Sequence, residues 1–240
     1  MKPRLTAIIP SRNAEATIGR CLESLLAQTL KPEIIVQDAL SSDRTVEIAR
    51  SYGPDIRIFS EKDLGVYDAM NRGISRAKGE WIMFLGADDI LADLSALENV
   101  FRLKIHPHTK WLFTRVRNTG HTDARIPSEY GGTPGPQLYW RNTLHHQGIL
   151  YHKSVFDQHR FDSDLRILGD YALNLELYQE KTPWQSCDTL LSICDARGLS
   201  KNFGWALYKE EIKLKLRRLP PWAFVLNLIW VPLKFAYKRF

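Results

Sequence analysis

The sequence predicts an α/β protein built on a mostly parallel sheet with helices on both faces. Short apolar runs alternate with segments of helical periodicity from the N-terminus to Gly86. The fourth run, WIMFLG, is almost entirely apolar, which is typical of a strand buried on both faces. The 240 residues are 44% hydrophobic and 25% charged, so they suffice for one domain with a core, or one domain plus an appendage.

The order of elements follows from this periodicity. Strands are predicted at four apolar runs, LTAIIP, EIIVQ, IRIFS and WIMFLG. Helices are predicted between them, at AEATIGRCLESLLAQ, DRTVEIARSY and VYDAMNRGISRA. Because strands that alternate with helices are joined by crossovers, the four strands are expected to pair in parallel.

The second half of the chain gives fewer elements. Helices are predicted at LADLSALENV and ILGDYALNLELYQEK, and strands at WLFTRV and HHQGILYHKSVF. Residues 117–144 are rich in glycine, proline and polar residues. Ordinary connections are much shorter, so this segment is predicted to be a mobile loop over the ligand-binding edge of the sheet.

Polar residues follow three of the predicted strands. They are Ser11, Arg12 and Asn13 after the first strand, Asp38 at the end of the second, and Asp88 and Asp89 after the fourth. In an open parallel sheet, ligands bind beyond the carboxyl ends of the strands. The first loop, PSRNAEA, has neither the GxGxxG pattern nor the P-loop pattern, which argues against a dinucleotide fold and a P-loop enzyme.

Two adjacent carboxylates repel each other, so Asp88 and Asp89 call for an explanation. A divalent metal ion, or a pair of basic side chains, could neutralise them. Alternatively, one of them caps the helix predicted at LADLSALENV.

Charge and cysteine content narrow the class of protein. The net charge is +6, and the segment from Lys209 to Phe240 carries eight basic and two acidic residues, so the rest of the chain is neutral. This distribution argues against a nucleic-acid surface on the body of the protein.

Three cysteines without a CxxC pair argue against a disulfide framework or a zinc site and suit a reducing cytosol. The N-terminus has no apolar stretch typical of a secretory signal.

Six motifs, taken together and in order, resemble the family-2 inverting glycosyltransferases with the GT-A fold. The motifs are IIPSRN, DALSSDRT, EKDLGVYDAMNRGISRAKGEW, FLGADD, HHQG and GDYALNLEL, and they extend over about residues 5–200. The resemblance implies an enzyme that moves a sugar from a nucleotide diphosphate to an acceptor hydroxyl, as in bacterial surface-polysaccharide synthesis. A nucleotidyltransferase is an alternative, although its first loop is usually rich in Gly and Arg. A non-catalytic sugar-nucleotide-binding protein that docks on membranes is another.

The resemblance also implies roles for individual residues. It assigns a divalent metal, Mg²⁺ or Mn²⁺, to Asp89, the ribose side of the donor to Asp88, and the nucleotide base to Asp38, with a UDP-sugar as the first candidate donor. It assigns the catalytic base to Asp170, because in-line attack by a hydroxyl needs a proton acceptor. The nucleotide-sugar-binding residues that it implies are Pro10, Ser11, Arg12, Asn13, Asp38, Asp68, Asn71, Arg72, Asp88 and His146.

Some positions are open to a second interpretation. Arg12 occupies a position that is usually aromatic in the family, where its guanidinium plane could still stack on a base. Asp43 is interpreted as a helix cap together with Ser42. Asp68 and Arg72 could lie on a solvated helix face instead of facing the donor, and the segment RGLSKN at 197–202 could be either a closing loop over the diphosphate or an ordinary surface loop.

The C-terminal segment is predicted to be a separate appendage, residues 205–240, after a catalytic domain of residues 1–204. Its apolar stretch WAFVLNLIWV has ten residues between Pro221 and Pro232, whereas a membrane-spanning helix needs about 20. Flanking basic residues, with Trp222 and Trp230, predict a helix lying in the membrane interface. This predicts a cytoplasmic protein, peripheral on the inner face of the membrane, with a lipid-linked or polysaccharide acceptor. The alternative is a helix docked on the enzyme's own core or on a second subunit.

Overall fold

The computed structural model describes residues 2–120, 127–195 and 205–231, except for 222 and 229. Its strands are β1 (Leu5–Ser11), β2 (Glu33–Asp38), β3 (Ile56–Ser60), β4 (Trp81–Phe84), β5 (Ile90–Leu91), β6 (Trp111–Thr119), β7 (Glu129–Tyr130), β8 (Ile149–His152) and β9 (Trp184–Asp195). Its α-helices are α1 (Ile18–Leu26), α2 (Thr45–Ser51), α3 (Val66–Arg76), α4 (Ala96–Arg102), α5 (Gly169–Gln179) and α6 (Trp205–Arg218). Short 3₁₀ helices lie at Pro136–Tyr139, His146–Gly148 and Lys153–Asp157.

The strands form one mixed sheet in the order β3-β2-β1-β4-β8-β6-β9-β5, with β7 beside β6. The four strands from the first part of the chain pair in parallel, as predicted. Strand β8 then runs antiparallel to both β4 and β6, and β9 returns parallel to β6. The predicted fold class, a mostly parallel sheet of the GT-A type with helices, is confirmed.

The helices bury both faces of the sheet in two hydrophobic cores. Successive residues of β1 contribute to different cores, with Ile8 in one and Ala7 and Ile9 in the other. This alternation follows from the pleat, which directs neighbouring side chains to opposite faces. Helices α3, α5 and α6 cover the face of Ile8, and α1 and α4 cover the opposite face.

Two parts of the chain have more structure than the sequence predicts. Within the predicted long loop, β7 pairs with β6, and Leu138 and Leu144 are buried. Only residues 121–126 of that segment lie outside the described residues. The twelve-residue strand β9 was not predicted at all, although it joins β6 to β5 in the sheet. The RGLSKN segment lies outside the described residues.

The C-terminal segment packs on the sheet instead of extending away from it. Leu207, Leu214 and Leu219 are buried in the same core as α3 and α5, as is Ala223 beyond α6. The predicted boundary at residue 204 therefore does not separate two cores, and the arrangement agrees with the docked alternative. Trp222 and residues 232–240 lie outside the described part of the segment.

A buried ion pair fixes this docking. The Lys215 ammonium group is fully buried and lies 2.8 Å from the Glu211 carboxylate, one helical turn away. It also donates hydrogen bonds to the Trp140 carbonyl oxygen at 2.8 Å and to Asn227 Oδ1 at 2.7 Å. These bonds tie α6 to the segment that precedes the HHQG motif. Among the described residues, no helix is long and apolar enough to cross a bilayer.

Candidate active site

Asp38 joins the carboxyl ends of three neighbouring strands. Its buried carboxylate accepts hydrogen bonds from the hydroxyls of Ser11 in β1, Ser60 in β3 and Ser41 in the following loop, and from the Ser41 backbone N–H at 3.0 Å. These four donors match the four lone-pair positions of a carboxylate. A nucleotide base could bond to Asp38 only by displacing one of them, and the Ser11 bond is the longest at 3.4 Å.

The loop after β1 is held by the loop after β2. Asn13, which has a positive φ of 49°, accepts a bond from the Ser42 N–H at 2.9 Å and donates its own N–H to Ser41 Oγ at 2.8 Å. Asp43 accepts from the Thr45 N–H at 3.0 Å, at the start of α2, in agreement with its interpretation as a cap. Arg12 between these contacts is exposed. Burial raises the pKa of the nearby Asp63 carboxyl above its ordinary value, and the Arg12 charge opposes this effect only in part.

Asp88 and Asp89 occupy different environments. Asp88 is exposed, whereas Asp89 is only 2% exposed. Asp89 accepts hydrogen bonds from the Gly86 N–H at 3.0 Å, the Gln147 side-chain amide at 2.8 Å and the Asp195 N–H at 3.2 Å. Neither aspartate caps α4, which begins seven residues after Asp89. The alternative interpretation as a helix cap is therefore wrong.

The two carboxylates converge beside Gly86, where the chain has no side chain. A Cβ atom on this glycine would lie 2.6 Å from Asp89 Oδ2 and 2.7 Å from Asp88 Oδ1. One oxygen of each carboxylate therefore points to the same small space, and any other residue at position 86 would fill it. Carboxylate oxygens are the ligands that Mg²⁺ and Mn²⁺ prefer, so the residues present fit a divalent cation.

The α3 side of the site is a network of ion pairs. Asp68 accepts the Leu64 N–H at 3.0 Å and pairs with Arg72 at 3.0 Å, and Arg72 also lies 3.4 Å from Glu61. Hydrogen bonding to Arg76, together with bonds from Gln37 and Arg72, lowers the pKa of Glu61 to about 2, against the opposing effect of desolvation. The guanidinium groups on this rim are therefore partly neutralised by carboxylates of the same rim.

Asn71 has a structural role within the fold. Its side-chain amide donates to the Phe161 carbonyl oxygen at 2.9 Å and accepts from the Phe161 N–H at 3.0 Å. The resemblance implied that Asn71 contacts the donor. Its two bonds to Phe161 hold the segment before α5 against α3, and the donor contact stays a prediction.

Asp170 is a buried carboxylate at the start of α5. Its Oδ1 atom lies 3.1 Å from the Tyr67 hydroxyl, and its Oδ2 atom lies 3.4 Å from Asn142 Nδ2 and 3.6 Å from His146 Nδ1. Burial raises the pKa of Asp170. Hydrogen bonding and charge from His146, the Tyr171 N–H and the Tyr67 hydroxyl lower the pKa more, so its net value lies below the ordinary one. Asp170 is therefore ionised at neutral pH.

The 3₁₀ helix at His146–Gly148 joins the two carboxylate centres. His146 faces Asp170, and the next residue, Gln147, donates to Asp89 at 2.8 Å. Consecutive Cα atoms are about 3.8 Å apart. Asp170 and the aspartate pair consequently border one site, although the sequence alone did not show that they meet.

Three residues that the sequence analysis did not assign help to build this site. Gln147 lies in the HHQG motif, and Tyr67 in the GVYDAMNRG motif, so the motifs themselves were the available signal. Glu210 in α6 had no such signal. It accepts the backbone N–H groups of Arg166, Ile167 and Leu168 at 2.9, 2.7 and 2.7 Å, and so holds the turn that leads into α5.

Sequence comparison assigns the family of this chain. The family model described as Glycosyl transferase family 2 matches residues 6–159, more than half of the chain. The chain belongs to glycosyltransferase family 2. A PGL/p-HBAD biosynthesis glycosyltransferase of Mycobacterium bovis BCG is 31% identical over 186 residues, which cover 73% of this chain and 70% of that protein. The uncharacterized glycosyltransferase YibD of Escherichia coli is 33% identical over 137 residues, which cover 52% of this chain and 39% of that protein.

Solved structures show the same fold. S. aureus TarS in complex with UDP-GlcNAc superimposes with a TM-score of 0.70 at 16% identity, over 88% of this chain and 65% of that one. The mannosyltransferase PcManGT from Pyrobaculum calidifontis, in complex with GDP-Man and Mn²⁺, gives a TM-score of 0.67 at 18% identity, over 96% and 69% of the two chains. The family-2 transferase described here thus has the predicted GT-A fold and is a glycosyltransferase, as the motifs indicated. This chain spans less than two thirds of the TarS fragment.

Proposed function

We propose that this family-2 transferase moves a sugar from a nucleotide diphosphate, with inversion, to a hydroxyl of a glycan or lipid-linked acceptor. One observation carries the proposal. Of two adjacent residues, His146 contacts the buried carboxylate of Asp170, and Gln147 donates a hydrogen bond to Asp89 of the aspartate pair. A proton acceptor and an oxygen-rich cation site therefore lie on either side of the same short 3₁₀ helix.

Each group has a chemical task in this reaction. The acceptor oxygen attacks the anomeric carbon while its proton passes to the ionised Asp170 carboxylate. The bond between the anomeric carbon and the diphosphate oxygen breaks, and its electron pair leaves with the diphosphate. Asp88 and Asp89 would hold a divalent cation, which would supply positive charge to stabilise the departing diphosphate. Asp89 is anchored by three protein donors, and the exposed Asp88 presents the second carboxylate.

Changing the base tests this mechanism most directly. We expect Asp170→Asn to lower the transfer rate by about 10²–10⁴-fold, the usual contribution of a general base, while donor binding stays near the wild-type value. Initial rates of transfer and calorimetric titration with UDP and Mn²⁺ measure the two effects. Asp164→Asn, an exposed aspartate on the turn before α5, is the matched control. Wild-type transfer by the Asp170 variant would show that another residue is the base.

The donor is proposed to be a UDP-sugar, with Arg12 stacking on its base. TarS was solved with UDP-GlcNAc and PcManGT with GDP-Man, so the comparison supports both nucleotides as candidates. Thermal unfolding with Mn²⁺ and a panel of UDP- and GDP-sugars separates them, because a ligand that binds the native state raises the unfolding temperature. The largest shift with a GDP-sugar would overturn the UDP assignment.

We further propose that the outer face of the C-terminal segment contacts an anionic membrane. Its inner face is docked on the core, but the outer face exposes apolar side chains beside the exposed basic residues Lys209, Lys213 and Arg217. Those apolar side chains are Trp205, Leu216, Val225, Leu226, Leu228 and Trp230. Each basic residue contributes about 1 kcal/mol near an anionic surface. Such binding would hold the active site beside a lipid-linked acceptor on the cytoplasmic side.

Sedimentation with phosphatidylglycerol vesicles tests the membrane proposal. We expect the full chain to sediment with these vesicles, and the triple variant Val225→Ser, Leu226→Ser, Leu228→Ser to stay in solution. Leu94→Ser, at an exposed leucine outside this face, should behave as wild type. Equal sedimentation of the triple variant, or a change only in its oligomeric state, would contradict membrane binding.

A further inference from the structure

Tyr67, the second residue of α3, packs its side chain against the turn that leads into α5. The residue is 5% exposed, and its ring stacks on Phe161 with centroids 5.6 Å apart. Its ring atoms also lie 2.7–2.8 Å from where a Cβ atom on Gly169 would be. The first residue of α5 therefore has to be a glycine for the tyrosine ring to approach this closely.

The hydroxyl group of Tyr67 has one hydrogen and two acceptors within reach. The Ile167 carbonyl oxygen lies 2.7 Å from it and Asp170 Oδ1 lies 3.1 Å from it. A phenol donates a single hydrogen bond but can also accept one. The two acceptors therefore compete for the same hydrogen, and the protonation state of Asp170 decides the competition.

We propose that Tyr67 is the positioning residue of the base and that its hydroxyl turns between these two acceptors during the reaction. This inference rests on the proposed role of Asp170. While Asp170 is charged, the hydrogen points to its carboxylate, because hydrogen bonds to charged acceptors are about twice as strong as neutral ones. When the proton of the sugar acceptor has passed to Asp170 and the hydrogen of the carboxylic acid lies on Oδ1, the Tyr67 hydroxyl turns its own hydrogen to the Ile167 carbonyl oxygen. The hydroxyl oxygen can then accept from a protonated Oδ1.

The turning hydroxyl keeps every buried group bonded in both states. A buried carboxylate that loses its donors costs free energy, and so does a buried carboxylic acid whose hydrogen has no acceptor. With Tyr67 present, neither the charged nor the neutral form of Asp170 is penalised in this way. The residue consequently holds one carboxylate oxygen in place, while the other faces Asn142 and His146.

The other groups that face Asp170 from the described elements do not have this arrangement. His146 approaches from its 3₁₀ helix, and Asn142 from the segment before it, both at the Oδ2 atom. Tyr151 in β8 is also buried and close to the carboxylate, but its hydroxyl donates to Asn174 Oδ1 at 2.7 Å. Tyr151 therefore offers a matched control, a buried tyrosine with one hydrogen bond that does not reach Asp170.

The test compares Tyr67→Phe with Tyr151→Phe in the full chain. The measurement is kcat/KM as a function of pH, with saturating Mn²⁺, because its acid limb reports the pKa of the free enzyme's base. Removing a donor from the charged form raises that pKa. We expect the acid limb of Tyr67→Phe to move up by about one to two pH units, the equivalent of one hydrogen bond to a charged group. The limb of Tyr151→Phe should not move.

A second variant keeps the test independent of folding. Replacing Tyr67 by 3-fluorotyrosine keeps the ring and makes the phenol a stronger donor, so the acid limb should move to lower pH. An unchanged limb in both Tyr67 variants, or the same shift in Tyr151→Phe, would overturn the inference. Asp170→Asn serves as the separate check: if it transfers sugar at the wild-type rate, the proposed base is wrong, whatever Tyr67 does.

Discussion

At the scale of single residues, Asp88 and Asp89 show what a motif can and cannot indicate. The family resemblance assigned the divalent metal to Asp89 and the ribose side of the donor to Asp88. The structure gives Asp89 three protein donors and buries it, whereas Asp88 is exposed. Two identical side chains in adjacent positions thus differ in solvation. This difference depends on Gly86, inside the FLGADD motif, and on Gln147, which no rule of spacing connects to that motif.

The two aspartates should therefore respond differently to substitution. We expect Asp88→Asn to fold normally and to lose Mn²⁺-dependent donor binding. Asp89→Asn should lose this binding too. It should also unfold at a lower temperature, because the amide nitrogen of asparagine cannot accept a hydrogen bond from the three donors that face Asp89, and each buried donor left without an acceptor lowers the free energy of unfolding by about 1–3 kcal/mol. Thermal unfolding and calorimetric titration with UDP, with and without Mn²⁺, measure both effects. Asp188→Asn, at an exposed aspartate in β9, is the control. Metal-dependent binding unchanged in both variants would exclude this cation site.

At the scale of elements, periodicity predicted α1, α3, α5 and the first four strands within a few residues. It missed β9, because the first half of the strand, after Trp184, is polar and partly exposed, and only the second half, with Leu190, Leu191 and Ile193, is apolar. The interfacial helix predicted from WAFVLNLIWV and its flanking basic residues stays a prediction. Periodicity did not indicate how α6 docks, with Lys215 buried beside Glu211, because this arrangement depends on Trp140 and Asn227 at distant positions.

Helix α6 reaches the catalytic region through Glu210. Its carboxylate satisfies three backbone N–H groups in the turn before α5, so we expect Glu210→Ala to lower stability by about 1–3 kcal/mol and to reduce kcat more than donor binding. Chemical denaturation and steady-state rates measure these changes. The adjacent Lys209→Ala, at an exposed position, should leave both unchanged. Equal stability and kcat in the two variants would show that the turn holds its shape without Glu210.

At the scale of the whole molecule, the family and its fold could be predicted because six motifs occur in a fixed order. The meeting of Asp89 with Asp170 could not, because it depends on how β8 inserts between β4 and β6 and places His146–Gly148 at the edge of the sheet. The cysteines are a similar case. Their number is evident from the chain itself, but only the packed structure shows that Cys21 and Cys194 are buried and that Cys187 is partly exposed.

Thiol labelling of the folded protein checks this packing across the molecule. Burial raises the pKa of both Cys21 and Cys194, with further contributions from the Asp89 charge, so neither forms the reactive thiolate readily. We expect a disulfide reagent to label one thiol, Cys187, in native protein and three in denaturant. Cys187→Ser should abolish the native reaction. Rapid labelling of all three thiols without denaturant would contradict the two buried positions.

The peptide bond between His146 and Gln147 also limits how the enzyme can vary. His146 faces the base and the next residue, Gln147, holds the cation-site aspartate. The peptide bond between them therefore restricts the distance between the proton acceptor, Asp170, and the place of the leaving diphosphate. Relatives that keep this pair of contacts can change the direction from which a sugar acceptor enters the site. They cannot change where its hydroxyl must lie to be within reach of both the base and the anomeric carbon. We expect diversification of acceptors to be concentrated in the segment from β7 to Asn142, and a residue inserted between His146 and Gln147 to stop transfer with every acceptor alike.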